Sequence, residues 1–247
     1  MKSFALYSLK GGVGKTTSCI NLAYVAAKQG KRTLIWDLDP QSAATFYLSK
    51  KSKLKGGVKR LLENKQGLEE IIKDTDYKNL FIIPGDLKNR EMDLVLDDLK
   101  KSKKKFHELM ESLGREFDYV FIDSPPMLTI LAENIFNAVD YVVSPTIPTT
   151  LSMRTLEQVK DFFGDKKLTD KIIPFFTMVD IRKRLHKDIV EGHSQNGHGF
   201  LEPYIPYSSV VEKMGLEQAP VNHFSPRSKP AQAYQEIWED IRRISLA

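Results

Sequence analysis

Residues 7–18, YSLKGGVGKTTS, place three glycines and two lysines directly after an apolar run and directly before a helical pattern. These residue types in this order suit a polyphosphate. Gly11, Gly12 and Gly14 let the backbone turn and approach an anion without Cβ clashes, and the amides at the start of the following helix converge on phosphate oxygens. Lys15 is placed to bridge the β- and γ-phosphates, the Thr16 hydroxyl to reach Mg²⁺ and Thr17 to reach the α-phosphate, with Val13 completing the backbone of the loop. A glycine-rich turn with a chance lysine is the plain alternative, and KGGVGKTT after a strand makes it a poor one. One departure stands out. The pattern G-x-x-x-x-G-K-[ST] expects a glycine where this chain has Leu9, and Lys10 beside it is a second lysine that a phosphate loop does not need.

A magnesium nucleotide also calls for carboxylates at neighbouring strand ends. FDYVFIDSPP offers Asp123 after an apolar run, suited to hold a metal-bound water. LIWDLDPQ offers Asp37 and Asp39, which alternation along an extended segment points to one side. Asp37 is assigned to the metal shell and Asp39 to orienting the attacking water. Single aspartates at strand ends are common, so the weight rests on all three occurring with the loop.

Positioning these groups takes a parallel sheet. Apolar runs at 3–8, 32–37, 80–84, 119–123, 141–145, 172–179 and 202–206 read as strands, and helices are expected at 15–29, 56–64, 67–73, 88–114, 127–137, 151–163, 182–190, 208–214 and 229–245. The βαβ rhythm predicts one α/β domain over 1–247, a mostly parallel twisted sheet with helices on both faces and the ligand crevice at the carboxyl edge. In the last helix Tyr234, Ile237, Trp238, Ile241 and Ile244 recur at helical spacing, and with Glu236, Glu239 and Asp240 on the polar face this reads as core packing rather than a membrane-binding tail.

The net charge of +5 and pI near 9.0 permit attraction to nucleic acid or an anionic surface without deciding for either. The lysine-rich stretches 49–60 and 100–105 read as solvated surface, and HSQNGHGF (193–200) as a loop rather than a metal site. Cys19 alone makes neither an intrachain disulfide nor a cysteine-only metal site, and it reads as a buried small residue. With no secretory leader pattern and no apolar run of membrane length, a cytoplasmic protein is expected.

Across nearly its whole length, in KGGVGKTTSCINLA, LIWDLDPQSAAT, FDYVFIDSPP, PTIPTTLSMRTLEQV, TMVDIRKRLHKDI, IPYSSVVEKMG and SPRSKPAQAYQEIWEDI, the chain resembles the ParA/MinD family of deviant Walker A P-loop ATPases, and within it the ParA branch. The resemblance implies that Lys10 reaches the phosphates bound by a partner subunit, so that ATP joins two chains into a homodimer that slow, partner-stimulated hydrolysis releases. It implies binding of double-stranded DNA without sequence preference, for which Arg182, Lys183, Arg184, Lys187, Arg227 and Lys229 are candidates, an adenine pocket near Thr177 and Pro206, a ParB-like or cargo-adaptor activator, and a nucleoid-associated location in a prokaryote. No helix-turn-helix extension precedes the first strand in the sequence, so an operator-binding role is not expected, and no membrane is expected as a partner. Three alternatives stay open: a MinD-like membrane-surface ATPase, which would need Trp238 and Ile241 exposed, a metabolic ligase or kinase on the same scaffold, and a nucleotide-gated binding module with negligible hydrolysis.

Overall fold

The computed structural model describes residues 1–48, 67–164, 166–196 and 199–246. Seven strands form one sheet: β1 (Lys2–Leu6), β2 (Thr33–Asp37), β3 (Lys73–Asp74), β4 (Leu80–Ile83), β5 (Tyr119–Asp123), β6 (Tyr141–Thr146) and β7 (Ile172–Phe176), in the order β3-β4-β2-β5-β1-β6-β7. Every pairing is parallel except the edge pair β3–β4. From β1 the chain winds first toward β2 and β4, later toward β6 and β7. The switch in direction beside β1 opens a crevice at the carboxyl edge.

Side-chain alternation explains why helices cover both faces. Along β1, Phe4 and Leu6 enter one core, while Ala5 and Tyr7 just beyond it enter the other. The first core is roofed by α1 (Lys15–Lys28) and the C-terminal helix α8 (Lys229–Leu246), which pack on each other. Trp238 is fully buried there, edge-on to Phe4 at 5.7 Å between ring centroids, with its indole N–H donated to Gln29 Oε1 at 3.0 Å. Tyr234, Ile237 and Ile241 are buried beside it and Ile244 lies at the exposed margin, as core packing of this helix requires. The second core takes Phe106, Met110 and Leu113 from α4 (Ser102–Leu113), Leu131, Ile135 and Phe136 from α5 (Ile130–Ala138), and Val159 from α6 (Thr150–Phe163). Lys103 and Lys104 of the second lysine run pair with Glu133 and Glu108 on the surface.

Several elements differ from the sequence reading. The single helix expected over 88–114 is a 3₁₀ turn (Leu87–Glu91), then α3 (Met92–Asp98), then α4; between the last two the ladder is broken by Leu99, extended at ψ 107°, and Lys101, left-handed at φ +64°. The strand expected over 172–179 ends at Phe176, and the one expected at 202–206 is reduced to an isolated bridge, Val179 to Pro206: at the margin of the sheet backbone hydrogen bonds persist without a ladder. Helix α7 (Arg184–Asn196) runs into the segment read as a loop from residue 193; the helix expected at 208–214 is two short pieces, Ser209–Glu212 and Met214–Glu217; and α2 (Ala43–Leu48), less than two turns long, and the short helix Val221–Phe224 add to the expected elements. The helix expected at 56–64 and the lysine run at 49–60 fall outside the described residues. Cys19 is buried in α1.

Candidate nucleotide site

The loop between β1 and α1 turns on two left-handed glycines, Gly12 at φ +72° and Gly14 at φ +83°. A side chain would strain either. Gly11 and Gly12 are exposed, Val13 is buried as the anchor beneath them, and Gly14 caps α1 with no side-chain hydrogen bond. The first amides of α1 are thus left for an external anion. Lys15 follows, largely buried, and burial lowers its pKa against the opposing pull of Asp123 and Asp39. An ammonium group held in this way sits where a polyphosphate would repay its desolvation.

Asp37 and Asp123 face each other as register partners at the ends of adjacent strands β2 and β5, and both are fully buried. Asp37 Oδ1 and both oxygens of Asp123 have no hydrogen-bond partner. Burial, then the charge of Asp37, raises the Asp123 carboxyl well above its usual range, with the Thr16 hydroxyl and Lys15 beside it acting the other way. Burial likewise lifts Asp37 to about 6, opposed by hydrogen bonds from Thr45. These three unpartnered carboxylate oxygens next to a threonine hydroxyl form an oxygen-only donor set, which fits a hard divalent cation such as Mg²⁺. Asp39 lies beyond the end of β2, partly exposed, with Oδ1 accepting the Gln41 N–H at 2.8 Å, and its charge is felt by Lys15, Asp37 and Asp123. The structure therefore brings Lys15, Thr16, Asp37, Asp39 and Asp123 together.

Thr177 and Pro206 line a small cavity of about 50 Å³ with Gly14 and Thr17, so two segments far apart in sequence meet behind the phosphate loop. Met178, at φ +53°, and Tyr207 line it too, and neither was legible beforehand. Lys10 is half-buried and donates to Ser152 Oγ at 3.1 Å, at the start of α6, where Thr149 Oγ1 also donates to that hydroxyl at 3.0 Å. Ser152 lies in PTTLSMRT, part of a stretch that carried the family resemblance without pointing to this residue.

Against known proteins, the family profile described as an AAA domain matches residues 1–172. The chromosome partitioning protein ParA of Myxococcus xanthus (strain DK1622) is 32% identical over 245 residues, covering 95% of this chain and 85% of that protein. The sporulation initiation inhibitor protein Soj of Bacillus subtilis (strain 168) is 29% identical over 250 residues, 97% and 98% of the two chains. The chain belongs to the ParA/MinD family of ATPases. A putative plasmid partition protein of Borrelia burgdorferi B31 bound to AMPPNP shares the fold, with a TM-score of 0.82 at 24% identity over 98% of both chains.

The basic residues singled out for a ParA-type surface divide into two groups. Arg182 is locked on Asp180, with Nε to Oδ1 at 2.8 Å and Nη2 to Oδ2 at 2.9 Å, while Arg184 and Lys187 pair with Asp188 and Glu191 one turn along α7. All six are exposed, and Lys183, Arg227 and Lys229 make no ion pair among the described residues. Arg182 and Lys229, from distant segments, line one open cavity of about 640 Å³ together with Tyr204 and Tyr207. Among the described residues no helix is long and apolar enough to cross a membrane.

Proposed function

We propose that this ParA/MinD-type ATPase is an ATP-dependent dimerisation switch that binds DNA without sequence preference and hydrolyses ATP slowly to partition or position DNA or another cargo. The observation that carries it is the division of labour between two lysines of one loop: Lys15 serves the buried carboxylate site, whereas Lys10 is held apart on Ser152. A lysine not used by its own site is free to be supplied to the triphosphate of a second copy, where a cation in trans neutralises charge on the transferring phosphoryl group. Dimerisation then reports the γ-phosphate.

In this reading Gly11, Gly12, Val13, Gly14, Lys15, Thr16 and Thr17 cradle the phosphates, and Thr177 and Pro206 border the adenine. Thr16, Asp37 and Asp123 hold Mg²⁺, which when bound would neutralise phosphate charge. Asp39 orients the water that displaces ADP, giving ADP and phosphate. Arg182, Lys183, Arg184, Lys187, Arg227 and Lys229 supply phosphate contacts to the duplex, which are sequence-independent and salt-sensitive. A ParB-like or cargo-adaptor protein acts as activator. The membrane-surface alternative gains no support from α8, since Trp238 and Ile241 are fully buried.

The test is binding to a random-sequence duplex with ATP, with ADP and without nucleotide, at two salt concentrations, beside Lys10→Ala. Salt-sensitive binding with ATP alone, lost in Lys10→Ala although that variant still binds ATP as a monomer, is the expected result. Equal binding in all three nucleotide states, or an ATP dimer that persists in Lys10→Ala, would overturn the switch.

A further inference from the structure

Asp37 is fully buried at the end of β2, and its carboxylate is held by one residue eight positions further on. Oδ2 accepts the Thr45 N–H at 2.9 Å and the Thr45 hydroxyl at 2.6 Å. That hydroxyl in turn accepts the Gly85 N–H at 2.7 Å, from the segment just beyond β4, the strand paired with β2. Because an amide can only donate, the single hydroxyl proton of Thr45 is committed to Asp37. With Asp37 ionised, the relay therefore runs one way, from Gly85 through Thr45 to the carboxylate.

Gly85 completes the arrangement by lacking a side chain. Its φ lies outside the left-handed region, so backbone freedom is not the reason for glycine there. A Cβ at this position would stand 2.8 Å from Asp37 Cγ, 2.9 Å from its Oδ2 and 2.7 Å from Ser42 Oγ. The space it would fill is the space the carboxylate occupies. Asn89 Nδ2 adds a long contact, 3.4 Å, to the Asp37 carbonyl. The result is asymmetric: Oδ2 is spent on the fold, while Oδ1 is buried without a partner.

We infer that Thr45 and Gly85 are positioning residues that fix the Asp37 carboxylate with one oxygen turned over to the magnesium nucleotide. Thr45 also lies in α2, immediately after the turn that carries Asp39. The same clamp therefore ties the segment holding the water-orienting aspartate to β4 on the far side of β2. The inference rests on the nucleotide-site reading above, and it concerns what sets the metal-side geometry, not whether nucleotide binds.

The experiment measures equilibrium binding of a fluorescent ATP analogue in Mg²⁺ and in EDTA, and the ratio of the two affinities is the readout. Thr45→Val keeps the shape of the side chain but removes the hydroxyl, leaving the Gly85 N–H unpaired. We expect it to reduce the Mg²⁺-dependent gain at least tenfold with binding in EDTA unchanged, and Thr45→Ser to restore the gain. Gly85→Ala leaves every hydrogen-bonding group in place and should lower the gain in the same way, which keeps the idea testable should Thr45→Val fail to fold by circular dichroism. Wild-type ratios in folded Thr45→Val, or in Gly85→Ala, would overturn the clamp alone. A wild-type chain that bound no nucleotide in either buffer would overturn the site reading and the clamp with it.

Discussion

Aspartates stand at or just beyond three parallel strands that end at the same edge, and they are in opposite states. Asp37 and Asp123, the last residues of β2 and β5, are buried with oxygens unpartnered and their carboxyls raised. Asp180, past the end of β7, receives the Arg182 guanidinium on both oxygens, and that hydrogen-bonded pair pushes its carboxyl down to about 2. A carboxylate that already has its cation is part of the architecture. A buried pair with Lys15 beside it but three of its oxygens unpartnered is under-compensated by itself, and is retained because something else brings further positive charge. Strand-end position is thus a weaker signal of chemistry than unpaid desolvation.

The largest consequence falls on Lys15, the cation next to the buried pair. Lys15→Ala removes a phosphate ligand and this countercharge together, so nucleotide affinity measured calorimetrically should fall by about 100-fold or more. A loss below threefold would break the distinction between the two kinds of aspartate.

The next effect has the opposite sign, on stability. Asp37 titrates near 6 in the fold against an ordinary value of 3.8. The folded chain therefore binds more protons than the unfolded one between these values, and nucleotide-free stability falls as pH rises through that window. Asp37→Asn removes the penalty. It should melt higher than wild type at pH 7, by roughly 2 kcal/mol or about 4–8 °C, with the advantage shrinking toward pH 4, while losing the Mg²⁺-dependent gain in nucleotide affinity. A melt at pH 7 below that of wild type would mean that the carboxylate is satisfied in the free protein after all.

The buried pair was legible in the sequence because each aspartate closes an apolar run, Ile35 to Asp37 and Phe121 to Asp123 lying in register on adjacent strands. The glycine loop was legible because its residue types have few other uses. The Thr45–Gly85 relay was not. Threonine in a short helix and glycine after proline read as ordinary punctuation, and only the parallel pairing of β2 with β4 brings them to one carboxylate. The helix expected over 88–114 failed for a local reason, the extended Leu99 and left-handed Lys101 between α3 and α4, which no periodicity signals. Ion pairing along α7 was equally hidden: the run of basic residues in IRKRLHK looks uniform, yet helical spacing hands Arg184 and Lys187 each an acid, and the preceding turn hands Arg182 another.

The smallest expected effect is also the most discriminating for that third aspartate. Asp180→Asn removes the charge that holds Arg182 and leaves the loop, Lys15 and the β2–β5 pair untouched. Nucleotide affinity in Mg²⁺ should then stay within about twofold of wild type. If Arg182 lies on the DNA-binding face, releasing it adds one phosphate-directed cation, and the slope of log affinity for duplex DNA against log salt should steepen by up to about one. A fall in nucleotide affinity comparable to that of Lys15→Ala would place Asp180 with the chemistry instead. An unchanged salt slope would move the DNA contact toward Lys183, Arg227 and Lys229, which are exposed without needing release.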